Sequence, residues 1–234
     1  VLIFRLLKRK KDIGGAAVKD SDIHDVVKIL REEYQKWNLP IVTEISKKRD
    51  SFKVLISTVI SLRTKDDVTR EAAMRLFQIA DNPYDMAKLD PGVVERAIYP
   101  AGFYRTKARN ILRICKILID EHDGRVPDEL DALLKLPGVG RKTANLVLTL
   151  GYGKPGICVD THVHRVSNRL GYVQTRTPEE TEFALRGKLP EVYWIEYNDL
   201  LVSFGQNICT PVSPFCSRCV LIHLCRRVGV VRNR

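Results

Sequence analysis

Leu136-Pro137-Gly138-Val139-Gly140-Arg141-Lys142 sits between two short apolar stripes of helical spacing: Leu130, Leu133 and Leu134 before it, and Ala144, Val147 and Leu148 after it. Pro137 ends the first helix, and the two glycines permit a tight turn with positive φ and close backbone approach. The second helix is expected to start at about Arg141, with its free N–H groups and positive dipole end facing outward. Such a joint is a seat for phosphate, with Gly138, Val139, Gly140 and Arg141 as the contacting residues. A backbone contact of this kind ignores base sequence, which suits a protein that scans DNA. The competing reading is a plain joint between two helices.

Outward from this hairpin the pattern stays helical. Ile23, Val26, Val27 and Leu30 follow i, i+3, i+4, i+7, as do Phe52, Leu55, Ile56 and Val59, and Ile111, Ile114, Cys115 and Leu118. Start signals agree: Thr64 with Asp67 resembles a capping box, Asp90-Pro91 supplies a cap and a first-turn proline, and Thr177-Pro178-Glu179-Glu180 supplies both devices. Alternating strand pattern is essentially absent. The fold class is therefore all-α, about ten helices joined by short Gly/Pro turns. Gly151-Tyr-Gly-Lys-Pro-Gly156 matches GxGxxG only formally, because it follows a helix and carries Pro155 where a Rossmann helix would begin. Gly138–Thr143 is not a P-loop, since Arg141 separates the glycine from Lys142.

The 234 residues are 44% hydrophobic, enough for a real core, which excludes a disordered chain and allows one domain or two small ones. No apolar run approaches the ~18 residues of a membrane span. Val1–Leu7 is apolar, but its bases follow it and no small-residue cleavage site appears, so it is not read as a signal peptide. The net charge of +11 points to a polyanion, nucleic acid before membrane. Much of it sits at the ends: residues 1–20 carry six bases against two acids, and 226–234 carry four bases and no acid. Both tails are expected to be solvated.

Two further constellations carry chemistry. Lys142 lies in the first turn of its helix, where the dipole disfavours a cation, so dipole and partial burial both favour the neutral amine that a nucleophile needs. Asp160, in Val159-Asp160-Thr161-His162, precedes a helix and reads equally as an N-cap or as a catalytic carboxylate. Cys209, Cys216, Cys219 and Cys225 crowd into 17 residues, a metal-ligating cluster rather than a disulfide framework. One Cys-x2-Cys knuckle with wider loops favours a [4Fe–4S] cubane, while His223 keeps a Cys/His zinc site open. His162 and His164 are expected to make structural hydrogen bonds, Cys115 to be core, and Cys158 to be buried near Asp160.

Together, Leu-Pro-Gly-Val-Gly-Arg-Lys-Thr-Ala-Asn at 136–145, Val-Asp-Thr-His at 159–162 and the four-cysteine segment at 209–225 resemble the endonuclease III family of DNA glycosylase/lyases. The resemblance runs from about residue 21 to 225. It implies two helical lobes: a six-helix barrel with the helix-hairpin-helix at 44–154, and a cluster lobe from 21–43 with 155–225. The basic extension 1–20 and basic tail 226–234 flank them. DNA would lie in the groove between the lobes, with Lys142 and Asp160 as catalytic residues at its mouth. Two loops would fill the vacated stack: Ser61-Leu62-Arg63-Thr64 and Gly102-Phe103-Tyr104. The resemblance also implies a [4Fe–4S] cluster on Cys209, Cys216, Cys219 and Cys225, damaged double-stranded DNA as partner, a monomer with no membrane association, and a cytoplasmic location.

The activity implied is removal of oxidised pyrimidines through a lysine Schiff base, followed by nicking by β-elimination. Departures from the family pattern are Arg63 for the usual glutamine, Phe103 for an aliphatic wedge, and a Thr210–Phe215 loop without a base; Arg218, Arg226 and Arg227 are its candidate replacements. A uracil or thymine mismatch glycosylase of the same fold is the nearest alternative, disfavoured by Lys142. An adenine glycosylase is disfavoured by Thr58, where those enzymes carry glutamate. A non-catalytic helix-hairpin-helix binder is the contrasting class, and it requires Lys142 and Asp160 to lie far apart.

Overall fold

A computed structural model describes residues 18–37, 41–46 and 50–234. The extension expected at 1–20 falls outside them except for its last three residues, as does the reading of Val1–Leu7. Among the described residues there is no strand, and no helix is long and apolar enough to cross a membrane.

The helices bury their apolar stripes in two separate cores. The first core runs from Val42 to Cys158 and is built from α2 (Ile41–Ser46), α3 (Ser51–Ser61), α4 (Asp66–Ile79), α5 (Pro83–Met86), α6 (Pro91–Ile98), α7 (Tyr104–His122), α8 (Leu130–Leu134) and α9 (Arg141–Leu146). α9 continues into a π-helical turn over Val147–Gly151. α3 is the axis of this unit: every residue from Val54 to Ile60 is buried, as a helix that is apolar nearly all round must be. It packs against α2, α4, α7 and α9.

The second core takes α1 (Ile23–Tyr34) from the near side of the first unit in sequence. From the far side it takes α10 (Thr161–Leu170), α11 (Pro178–Arg186) and α12 (Trp194–Asn207). Ile23, Val26, Val27 and Leu30 are all fully buried there, and α12 packs on both α1 and α10. The chain thus returns to complete with α12 what α1 began.

Side-chain caps fix five of the helix starts. Asp50 accepts from Lys53 N at 3.0 Å, Asp90 from Gly92 N at 2.8 Å, and Thr177 from Glu180 N at 3.1 Å. Three expectations need correction. The described residues hold twelve α-helices rather than about ten, because α2, α5 and α8 are too short to show a period. α4 has Lys65 at its cap position with no side-chain cap, so Thr64 and Asp67 form no capping box. The Thr64 hydroxyl is engaged instead by α7 and the loop before it. The 226–234 tail is also not simply solvated. Val228 N donates to Arg169 O at 3.1 Å, Ser217 N to Arg234 O at 2.9 Å, and the Arg234 guanidinium lies 4.0 Å from the Phe215 ring centre.

Candidate active site

The hairpin between α8 and α9 is formed as its sequence requires. Gly138 has φ +77°, a conformation that side chains rarely adopt, and Val139 N closes the turn onto Leu136 O at 3.1 Å. Val139 is buried and anchors the turn. Gly140 occupies the cap position of α9 with no side-chain cap, and a Cβ added there would meet nothing within 4 Å. The start of α9 is therefore open to an approaching anion. The Arg141 side chain does not share this opening. Its guanidinium makes a two-point ion pair with Glu182 at 2.7 and 3.0 Å and lies 5.0 Å from the Phe183 ring centre, so it faces α11. Burial would raise the Glu182 carboxyl, but hydrogen bonds from Arg141 and Arg186 outweigh it and hold the group below its ordinary range.

Lys142, one residue on, turns to the other side. Its Nζ stands 4.0 Å from Asp160 Oδ2, the amine 39% exposed and the carboxylate only 11%. The reading of a binder with these residues far apart does not fit this geometry. Asp160 also fulfils the competing reading as a cap: Oδ1 accepts from His162 N at 2.8 Å and Val163 N at 2.9 Å. The cap holds the carboxyl group in place, and the second oxygen is presented to the amine.

Both groups line a cleft of about 420 Å³ between the two cores, together with Ser61, Thr64, His162 and Asp199. Asp199 was not singled out from the sequence. It accepts from the Thr43 hydroxyl at 2.8 Å, joining α12 to α2 across the cleft floor, and burial pushes its carboxyl up to about 6. Its only signal was an acid directly before the apolar run Leu200–Val202. His162 is lowered by burial and meets Arg165 at 3.1 Å, while His164 pairs with Thr181 at 2.7 Å, so both histidines are held by hydrogen bonds. Cys115 is core, and Cys158 is buried with its Sγ 3.5 Å from Lys142 O.

The two loops that the resemblance separates in sequence meet in space. Arg63 and Phe103 are both non-glycine residues in the left-handed region, φ +52° and +58°, and the Arg63 guanidinium lies 5.4 Å from the Phe103 ring centre. Phe103 is 63% exposed despite being aromatic. Ser61 turns its hydroxyl back to Thr58 O at 2.8 Å. Thr64 Oγ1 accepts from Gly102 N at 3.1 Å and from Lys107 Nζ at 2.8 Å. Lys107 is a second residue that sequence reading passed over, although a lysine four positions before Ile111 lies on an apolar stripe. Burial pulls its ammonium down to about 8.

Cys209, Cys216, Cys219 and Cys225 all line one pocket beneath α10 and α12, and none is in a disulfide. His223 does not line it. Among the described residues no three His, Cys, Asp or Glu side chains converge as they would on a single metal ion. Donors already point at the sulfurs: Arg169 Nη1 lies 3.4 Å from Cys209 Sγ, and Arg227 N 3.4 Å from Cys225 Sγ. α10 spans both places, capped by Asp160 at one end while Arg165 and Arg169 hold the carbonyls of Cys209 and Thr210 further along.

A helix-hairpin-helix beside an amine–carboxylate pair in a cleft defines a class, and comparison with known proteins agrees. Residues 56–191 match the HhH-GPD superfamily of base excision DNA repair proteins. Endonuclease III of Thermotoga maritima is 52% identical over 193 residues, covering 80% of this chain and 91% of that protein. The chloroplastic Endonuclease III homolog 2 of Arabidopsis thaliana is 46% identical, and this chain spans about half of it, 48%. A solved structure of a trapped covalent intermediate between Endonuclease III and DNA superimposes with a TM-score of 0.80 at 36% identity, covering 90% of this chain and 97% of that one. The chain belongs to the endonuclease III family of DNA glycosylase/AP lyases.

Proposed function

We propose that this protein removes oxidised pyrimidines from duplex DNA and cuts the strand at the vacated sugar, with Lys142 as nucleophile and Asp160 as its partner. The observation that carries this reading is the 4.0 Å approach of Lys142 Nζ to Asp160 Oδ2 on the wall of an open cleft. C1′ of a stacked nucleotide is shielded, so the damaged nucleotide must swing out, and damaged bases cost least to unstack. Asp160 takes a proton from the Lys142 ammonium, returns it to the departing base, and as a carboxylate again stabilises the positive charge left on the sugar. The freed amine then attacks C1′, the C1′–base bond breaks, and ring opening leaves a Schiff base to the lysine. Loss of a C2′ proton expels the 3′ phosphate by β-elimination, and water releases the enzyme.

The open start of α9 at Gly138 and Gly140 suits a strand phosphate beside the lesion. Arg63 and Phe103 suit the hole left in the stack; Arg63 offers the orphaned base only donors. The Arg141 guanidinium, occupied by Glu182, braces α9 against α11, while its backbone N–H remains at the open start of α9. The four thiols share one pocket, with N–H donors aimed at two of the sulfurs, which suits the [4Fe–4S] cluster that their spacing in the sequence favours. Such a cluster would hold the 209–225 segment in shape against Arg165 and Arg169. Thiols kept free to hold a metal group suit a reducing compartment such as the cytoplasm.

Borohydride trapping tests the nucleophile. The unsubstituted protein should be captured on DNA holding an abasic site, and Lys142→Ala should lose capture while keeping measurable affinity. An alanine variant that still traps normally overturns the assignment.

A further inference from the structure

We infer that Lys107 is a positioning residue that knots the two loops carrying Arg63 and Phe103 into one rigid wedge. This rests on the reading that those loops enter the DNA stack. Lys107 is 5% exposed and sits in the first turn of α7, where a helix dipole repels a cation. Its three donors find three acceptors outside its own helix: Ile60 O at 2.6 Å, Leu62 O, and Thr64 Oγ1 at 2.8 Å. Ile60 O is among the carbonyls left unpaired at the end of α3, so the ammonium also closes that helix at its negative end.

The second loop is tied into the same knot. Gly102 N donates to Thr64 Oγ1 at 3.1 Å, and a Cβ at Gly102 would come within 2.5 Å of Arg63 O. The two backbones therefore touch, with no room for a side chain between them. Arg63 and Phe103, immediately beside this contact, both hold left-handed backbone, which persists in non-glycine residues only where surroundings over-determine it. Lys107 and Thr64 supply that constraint. The consequence is that Arg63 and Phe103, 5.4 Å apart, meet the duplex already assembled. Loops that ordered only on insertion would lose conformational entropy at the moment the nucleotide turns out.

The test uses the full chain, with Lys107→Met, which fills the space without hydrogen bonds, and Lys107→Gln, which restores part of them. Single-turnover excision is measured on duplex DNA carrying an oxidised pyrimidine. Nicking is measured on a duplex whose abasic site lies in an unpaired bubble, where no stack must be opened. A 2-aminopurine opposite the lesion reports unstacking. Lys107→Met should slow duplex excision by about 100-fold, the scale of a misplaced positioning group, and abolish the 2-aminopurine rise. Bubble nicking should stay within about twofold if positioning alone is lost, and Lys107→Gln should fall between. Parallel loss on both substrates, or no loss on either, overturns the role; if the methionine variant does not fold, the glutamine variant decides by the same ratio. Phe103→Ala separates the two ideas. If it leaves excision and fluorescence unchanged, the loops do not enter DNA; if it impairs both while the Lys107 variants behave normally, only the knot is wrong.

Discussion

Replacing Asp160 by asparagine separates the two uses of its carboxyl group. Oδ1 accepts from two backbone N–H groups at 2.8 and 2.9 Å, and an asparagine oxygen caps a helix about as well. What the amide loses is charge. α10 has no other acid in its first turn, so the lost dipole interaction costs about 0.3–1 kcal/mol. Asp160→Ala removes the cap as well and should cost about 1–2 kcal/mol. At roughly 2–4 °C per kcal/mol for a chain of this size, the asparagine variant should melt up to about 4 °C lower and the alanine variant about 2–8 °C lower. Catalysis should not follow that order. Both variants lack the oxygen facing Lys142 Nζ, and both should lose about 100- to 10,000-fold in single-turnover excision, the usual worth of a positioned acid–base group. Melting by circular dichroism and excision under enzyme excess measure the two quantities on one sample. An asparagine variant that keeps more than about a tenth of the rate would refute the catalytic use. Alanine and asparagine variants of equal stability would refute the capping use.

The two hairpin glycines should respond differently. Gly138→Ala, at φ +77° with its Cβ 2.6 Å from Asn110 Nδ2, should lower stability by about 1–2 kcal/mol; Gly140→Ala, with open space around it, should leave melting nearly unchanged and weaken DNA binding measured by anisotropy. Asp199 has a carboxyl raised to about 6 in the fold, so the folded state binds the extra proton and stability falls as pH rises from about 4 through 6. Asp199→Asn should therefore be more stable than the parent at pH 8, by on the order of 1–3 kcal/mol, and equal to it near pH 4, as read from urea melts at the two pH values. Protein purified without oxygen should contain iron and acid-labile sulfide in equal amounts, and Cys219→Ser should lose both; stoichiometric zinc would overturn the cluster assignment.

The sequence made some of this legible and hid the rest for physical reasons. The stripes Ile23–Leu30, Phe52–Val59 and Ile111–Leu118 are buried as read, because amphipathic period is a property of each helix alone. The hairpin was legible because Gly138 needs its φ. The approach of Lys142 to Asp160 came from the resemblance, since they belong to different cores and no local pattern joins them. The engagement of the Arg141 side chain was hidden, because its partner, Glu182, is 41 residues away. Thr64 looked like a cap, since its spacing to Asp67 fits one; the competing offer from Lys107 arises only when α3 and α7 pack. Asp199 and Lys107 were missed for the same reason: a charge on an apolar face reads as an exception until the acceptor or donor beneath it is known.

The second core is built from α1 and from helices on the far side of the first core, and this has a bearing on biosynthesis. A chain leaving the ribosome can finish the unit from Val42 to Cys158 while α1 still waits for α12. At that stage the hairpin and Lys142 are in place, but neither the capped carboxylate nor the thiol-bearing segment has joined them. A product stalled before α10 has formed would carry the open hairpin and Lys142 without the capped carboxylate beside them.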